Sequence, residues 1–307
     1  MIPVVVIGAG MAGVACARRL ADAGLAPVVL DKGRGIGGRV ATRRADAMQF
    51  DHGAQYATAQ GAGFGAVLER LSRDGVVATW DDGSGRAHRV GVPGMSALPK
   101  ALAQGLDVRQ GAQVRRVVRD GDGWHVDLGA DSLQVARVVM TVPAPQVAGL
   151  LGADHPLVDA IRDVRMAPCL TLMAAVDAPA PFTVQRDDDD DLAWIAQDSG
   201  KPGRPGGTLW VAQASEAFSV AHLEEDAAGV TALMLPLLCD RLGVNVSAVT
   251  HAASHRWRYA RTTQALGQRF LSQDDTLFVG GDWCLGARIE AAWDSGTAIG
   301  NAILQQR

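Results

Sequence analysis

At 307 residues, 48% apolar and 20% charged, the sequence has the length and composition of a globular protein of one or two domains with a buried core. A net charge of −4 argues against a nucleic-acid or other polyanion partner, and no run of about 18 apolar residues marks a membrane span. Cys16, Cys169, Cys239 and Cys284 are scattered, without a CxxC pair or a nearby histidine set, which argues against a disulfide framework and against a metal site. The apolar N-terminus has no basic lead and carries Arg18-Arg19 where a signal peptide would stay apolar, so a cytoplasmic protein is expected.

The chain opens with an apolar run at residues 4–7, then Gly8-Ala9-Gly10-Met11-Ala12-Gly13. A helical pattern at 14–23 and a second apolar run at 27–30 follow, closing on Asp31. This is the strand, glycine turn, helix, strand, acid order of a dinucleotide-binding βαβ unit. Gly8 permits the tight turn, Gly10 lets a pyrophosphate approach the backbone, and Gly13 lets the helix lie close on the sheet. The pyrophosphate is expected against the amides of the helix N-terminus, with the turn residues Met11 and Ala12 beside it. Asp31, 18 residues after Gly13, is in range of a ribose hydroxyl pair, and Lys32 follows it. A second glycine turn, Gly33-Arg34-Gly35-Ile36-Gly37-Gly38-Arg39, comes at once. An acid followed by Gly-Gly-Arg resembles the FAD-dependent amine oxidase superfamily, where Gly38 and Arg39 would meet the diphosphate. The planar fork of Arg39 suits phosphate oxygens at two points.

Next comes FDHGAQYAT (residues 50–58), expected beside the reactive ring of a flavin through Gln55 and Tyr56. An amphipathic helix is predicted over 64–71, and a short hairpin over 74–89 that crosses into another domain. A turn and a capped helix are expected over 92–98. Residues 108–118 and 124–128, separated by Asp120-Gly121-Asp122-Gly123, predict a β-hairpin. In flavoproteins of this build the strand holding Val114 passes the adenine. A buried strand at 138–141, ending on Thr141, runs into a Val142-Pro143-Ala144-Pro145 loop.

From about residue 151 the character changes. Strand-like runs at 169–176, 192–196, 209–214 and 249–259 lack glycine-rich crossovers and predict an antiparallel sheet in a second domain. A covering helix is predicted over 223–242, bent or broken at Pro236. Five aspartates at 187–191 lack EF-hand spacing and predict a solvated loop. A last strand ends in Gly280-Gly281-Asp282-Trp283, before a helix with Ile289, Ala292, Trp293, Gly296, Ile299 and Ile303 on one face. Gly281 and Asp282 are expected at the ribityl hydroxyls. The helix N-terminus near Arg288 and Ile289 is expected at the flavin pyrimidine end, where its positive end favours reduction.

Together GAGMAG, DKGRGIGGR, DHGAQYAT, VGVPGMSAL, TVPAPQ, WIAQDSGKPG, HRWRYAR and GGDWCLGARIEAAWDSG resemble, in order and over nearly the whole chain, the bacterial renalase-like flavoproteins. The resemblance implies an α/β fold of p-hydroxybenzoate hydroxylase-like two-domain build. A Rossmann-like FAD-binding domain (1–73, 93–150, 272–307) would join a substrate domain with an antiparallel sheet (74–92, 151–271). It also implies non-covalent FAD, oxidation of 2- and 6-dihydro isomers of NAD(P)H, and dioxygen as acceptor, giving hydrogen peroxide. Tyr56, Tyr259, Trp257 and Trp283 would wall a flat slot for the dihydronicotinamide. This chain has Gln197-Asp198 where the bacterial members tend to have Arg-Asn. Two rivals share the scaffold. One is an amine oxidase or desaturase, for which Lys32, Lys100 and Lys201 offer no obvious partner to a water at flavin N5. The other is a flavin-binding sensor without turnover.

Overall fold

Val4, Val5 and Val6 have no exposed surface, so β1 (Ile2–Ile7) is covered on both faces, as a continuous apolar run in a parallel sheet demands. The computed structural model describes residues 2–306. After β1 come α1 (Met11–Asp22), β2 (Val28–Asp31) and a small pair, β3 (Arg43–Ala45) and β4 (Met48–Phe50). Then follow α2 (Ala62–Arg73), the hairpin of β5 (Val77–Trp80) and β6 (His88–Gly91), and α3 (Ala97–Leu102). Strands β7 (Asp107–Gln110), β8 (Arg116–Asp120), β9 (Gly123–Asp127) and β10 (Ser132–Met140) lead to helices α4 (Ala144–Leu151) and α5 (Pro156–Ala160). The second half holds β11 (Arg165–Val176), β12 (Val184–Arg186), β13 (Trp194–Gln197), β14 (Leu209–Gln213), α6 (Glu216–Ala221), α7 (Ala227–Leu242) and β15 (Val249–Gln264). The chain closes with β16 (Leu271–Gln273), β17 (Leu277–Val279) and α8 (Ile289–Gln305).

Eight strands form the first sheet, in the order β16-β17-β10-β1-β2-β7, with β9 beside β10 and β8 beside β9. β1 runs parallel to β2 and β10, and β17 to β10, so the last strand of the chain lies two places from the first. Val4 and Val6 face α1 and α8, against Leu20, Ile299 and Ile303. Val5 and Ile7 face the other way, onto Trp124, Val126, Val147 and Trp283. The hairpin expected over 108–128 is shorter than predicted. Residues 107–110 pair in parallel with β2, the chain turns at Gly111, and only β8 and β9 form the antiparallel arms.

The second sheet is wholly antiparallel, β12-β13-β14-β11-β15. Leu170, Leu172 and Ala174 point to one face, where Val230, Met234 and Leu238 of α7 cover them. Met173 and Ala175 point to the other, against Phe50 at the end of β4. Helix α7 starts later than predicted, after a separate α6, and continues unbroken through Pro236. Its buried positions at every fourth residue hold both sides of the proline on the sheet, which offsets the lost backbone bond.

The closest helix contact explains a glycine. A Cβ at Gly296 of α8 would stand 1.9 Å from the Ala12 carbonyl oxygen of α1. Gly149 in α4 has nothing within 4 Å of the same position. Gly296→Ala is therefore expected to destabilise the protein by about 1–3 kcal/mol through overpacking, whereas Gly149→Ala should be neutral or stabilising by about 0.5–1 kcal/mol. Urea unfolding of the two variants checks this, and equal effects would refute the close packing of α1 on α8.

Candidate functional site

A cleft of about 2540 Å³ runs from the first glycine turn to the second sheet. Ligand pockets of about 300–1,000 Å³ hold a drug-sized molecule, so this one has room for a dinucleotide and a second compound. At one end Gly8 holds φ +108°, and Thr141 Oγ1 donates beneath it to the Ile7 and Gly8 carbonyls. A Cβ at Gly13 would lie 1.9 Å from the Gly8 oxygen, whereas one at Gly10 would meet nothing within 4 Å. Gly10 thus leaves open the space in front of α1. That helix N-terminus has no side-chain cap and no acid in its first turn. Gly10, Met11 and Ala12 line the cleft there. Unpaired amides with the positive helix end, facing a cradle without side chains, fit a pyrophosphate.

Asp31 is held by the turn it follows. Its carboxylate accepts from the Ala9 and Gly33 amides, each at 2.6 Å, and still borders the cleft, with Lys32 beside it. The second glycine turn rests on the first. The Gly37 amide donates to the Ala9 carbonyl at 2.9 Å, and a Cβ at Gly38 would stand 3.2 Å from Gly10 Cα. Val114 borders the cleft from the coil between β7 and β8, not from a strand.

Arg39 and Asp282 depart from the roles read separately for them. The guanidinium donates through Nη1 (2.8 Å) and Nη2 (2.6 Å) to the two Asp282 oxygens, and through Nη1 to the Ala260 carbonyl at 3.2 Å. The fork expected on phosphate is committed to a carboxylate across the cleft, a bidentate pairing that the planar group favours. Gly281 and Asp282 both border the cleft, as do Arg288, which precedes α8, and Ile289, its first residue. Arg288 donates to Gln60 Oε1. Glu290, buried in the first turn of α8, accepts from the Gln60 and Gly61 amides.

Three of the four expected wall aromatics line the cleft: Tyr56, Trp257 and Tyr259. Trp257 Nε1 donates to the His52 carbonyl at 2.8 Å, and Tyr259 lies in the irregular stretch of β15 between Trp257 and Arg261. Trp283 does not belong with them. It is fully buried under the first sheet, with Nε1 donating to Val142 O at 3.0 Å. The turn after Gly281 directs this indole into the core, and the sequence spacing carries no sign of that.

Tyr56 meets partners that the sequence did not single out. His88 stacks on it at 3.8 Å, Trp194 lies 5.9 Å away, and Arg186 Nη2 donates to its hydroxyl at 3.3 Å. Deeper lies a buried charge cluster. Lys201 Nζ donates to Asp198 Oδ1 (2.7 Å) and Gln55 Oε1 (2.9 Å), 3.6 Å from Asp51 Oδ2. Arg204 Nη2 donates to the same Asp51 oxygen at 2.5 Å, while Thr42 Oγ1 and the Met95 amide donate to Asp51 Oδ1. Gln55 borders the cleft, but its amide is turned to this cluster. Asp198 is fully buried and neither it nor Gln197 lines the cleft, so the departure at 197–198 lies off its wall. Lys32 and Lys100 line the cleft, whereas Lys201 does not. Burial pushes both carboxyls up. Lys201, Arg204 and the Met95 and Thr42 hydrogen bonds bring Asp51 below the usual range, while Asp198 stays above it. Among the described residues, no group of three histidine, cysteine or acidic side chains is placed to hold a metal.

Lys201→Met is expected to cost about 3–5 kcal/mol by stranding buried carboxylates, read as a fall in the thermal midpoint. A loss under about 1 kcal/mol would mean that the cluster is solvated, as exposed pairs are. The His52 ring is pushed down to about 4 by burial, then by His255 and Arg43. Folded His52 is neutral where the unfolded residue binds a proton, so its contribution is complete above about pH 6.5 and is lost as pH falls through about 4. At full extent it is worth about 3 kcal/mol. His52→Phe should flatten this part of the acid destabilisation in urea unfolding between about pH 7 and pH 5. A slope unchanged from the parent's would assign the acid sensitivity elsewhere.

Residues 6–71 match the model of NAD(P)-binding Rossmann-like domains, and residues 60–304 that of flavin containing amine oxidoreductases. A candidate protoporphyrinogen oxidase from Exiguobacterium sp. 255-15 superposes with a TM-score of 0.80 at 13% identity, over 99% of both chains. Cyclohexylamine oxidase from Brevibacterium oxydans IH-35A gives 0.74 at 13%, and putrescine oxidase bound to putrescine gives 0.69 at 14%, each over 99% of both chains. At these identities the likeness is one of fold: a Rossmann-like domain joined to an antiparallel-sheet domain. No helix among the described residues is long and apolar enough to cross a membrane. With the family model spanning most of its length, the chain belongs to the flavin-containing amine oxidoreductase family and takes FAD as its cofactor.

Proposed function

We propose that this oxidoreductase is of renalase type, oxidising 2- and 6-dihydro isomers of NAD(P)H, with dioxygen as the final acceptor and hydrogen peroxide as product. The charge of the cleft carries this reading. Its wall holds twelve lysines and arginines against six aspartates and glutamates, in a chain whose net charge is −4. Such a wall draws an anionic dinucleotide and repels a protonated amine. The aromatic side chains alone would also suit an amine, and the charge favours the dinucleotide.

Bound FAD supplies the acceptor for a hydride at N5 and passes the electron pair to dioxygen. The chain's own task is binding and orientation, because a dihydronicotinamide is already an activated donor. Asp31 would hold the ribose, the N-terminus of α1 the pyrophosphate, and the Arg39–Asp282 pair would close the cleft beside the ribityl chain. Tyr56 and Tyr259 would bracket the substrate ring with Trp257, whose indole is fixed on the His52 carbonyl. Burial pushes the Cys169 thiol, on the cleft wall, up to about 11, so it stays protonated, in keeping with the non-covalent FAD proposed here. The same reading divides the chain into a cofactor part, residues 1–73, 93–150 and 272–307, and a substrate part, 74–92 and 151–271.

The test is anaerobic mixing of the FAD-loaded protein with borohydride-treated NAD⁺, which contains the dihydro isomers. The flavin absorbance is expected to bleach with the 2- or 6-isomer, to change little with ordinary NADH, and to return with peroxide when air is admitted. Bleaching with cyclohexylamine or putrescine instead would replace this reading with an amine oxidase. A bleached flavin that persists in air would replace it with a sensor.

A further inference from the structure

Arg186, at the end of β12, lies among the aromatic rings of the cleft. Its guanidinium carbon is 4.2 Å from the Trp194 ring centroid and 5.6 Å from that of Tyr56. Both distances fall within cation–π range, about 6 Å. Nη2 donates to the Tyr56 hydroxyl at 3.3 Å and to Asp82 Oδ2 at 3.1 Å. Asp82 is anchored in turn, with His88 Nδ1 3.1 Å from that oxygen, and His88 stacks on Tyr56. The guanidinium is therefore held in place by two rings, a hydroxyl and a buried carboxylate. Its Nε and Nη1 donors have no partner among the described residues.

We propose that Arg186 sets the charge preference of the substrate slot, because this chain has filled its own aromatic box with a cation and thereby offers donors to an anionic or carbonyl group. The guanidinium already takes up cation–π contact with both rings, and a second cation beside the first is repelled. The side chain is 39% exposed, so an incoming carboxylate, phosphate or carboxamide oxygen reaches it without unfolding the wall. With Nη2 committed to Tyr56 and Asp82, Nε and Nη1 remain, and each offers a single charge-assisted hydrogen bond to an incoming oxygen. The acidic stretch beside it does not cancel the effect. Asp190 is paired with Arg241 at 2.5 Å, Asp187 caps the Asp189 amide, and Asp188, Asp189 and Asp191 are exposed on the rim.

The inference rests on the reading of this end of the cleft as the substrate slot, and its test does not depend on which substrate is oxidised. Benzoate and benzylamine present the same ring with opposite charge. Calorimetric titration of the FAD-loaded protein is expected to show benzoate binding more tightly. In Arg186→Met benzoate should weaken by about tenfold, with benzylamine unchanged or tighter, while Arg186→Lys should keep part of the benzoate affinity. A benzoate-to-benzylamine ratio unmoved in Arg186→Met with FAD still bound, or no benzoate binding by the parent protein, would overturn the assignment. A ratio that shifts as expected in a protein that fails to oxidise the dihydro isomers supports the assignment and removes only the proposed substrate.

Discussion

The cleft depends on four buried charges. Asp51 and Asp198 face Lys201 and Arg204, and all four side chains are out of water. Two carboxyls face two cations, and the Thr42 hydroxyl, the Met95 amide and the Gln55 side-chain carbonyl take up remaining hydrogen bonds. Without those partners such a cluster would cost more than it returns. With them it ties the chain after β4, which borders the cleft from His52 on, to the loop after β13 behind it. Tyr56 follows Gln55 directly, so the position of that aromatic wall is inherited from a salt-bridge network facing away from solvent.

At the other end, the fit to the cofactor comes from omission. Close packing forbids a side chain at Gly13 and Gly296 because backbone oxygens occupy the space, whereas at Gly10 nothing occupies it. The first two glycines bring α1 down onto the sheet and α8 onto α1. The third leaves a vacant cradle before an uncapped helix end. Arg39 and Asp282 then join the second glycine turn to the last, across 243 residues of chain. That pairing holds the N-terminal and C-terminal contact sets against the same cleft.

Much of this was legible in the sequence, and the limits have physical causes. The parallel sheet could be read because β1 is buried on both faces and its glycine turn has fixed spacing; the second sheet could be read from its runs without crossovers. Arg39 and Asp282 were found as cofactor-side residues, but their mutual bond was not. Local spacing records residue type, and the fold alone records which types meet. Trp283 was misassigned for a related reason: an indole beside a motif looks the same in sequence whether it faces the cleft or the core. Asp198 was noted only as a departure from the resembled family and Lys201 only as a lysine without a flavin-side role; their burial with Arg204 was not read, because WIAQDSGKPGR resembles a polar loop. An acid, a lysine and an arginine flanked by serine and glycine carry no mark of burial until a partner such as Asp51 is brought to them. Pro236 misled in the opposite direction, since the sheet beneath α7 outweighs a breaker that would end an isolated helix.

The contrast between surface and cleft is the last link from sequence to chemistry. A chain with net charge −4 collects a twofold excess of basic over acidic side chains on the wall of this cleft. FAD itself is anionic, and the basic glycine-turn residues Lys32, Arg34 and Arg39 lie at the end that would take its phosphates. Arg186 lies at the far end, among Tyr56 and Trp194. A family scaffold that accommodates amines in other members need not do so here, because the side chains of the slot and not the fold set the sign of the charge that enters. With Arg186 as proposed, the aromatic wall would offer a surface to a flat ring, and the guanidinium resting on that wall would set which kind of ring is admitted.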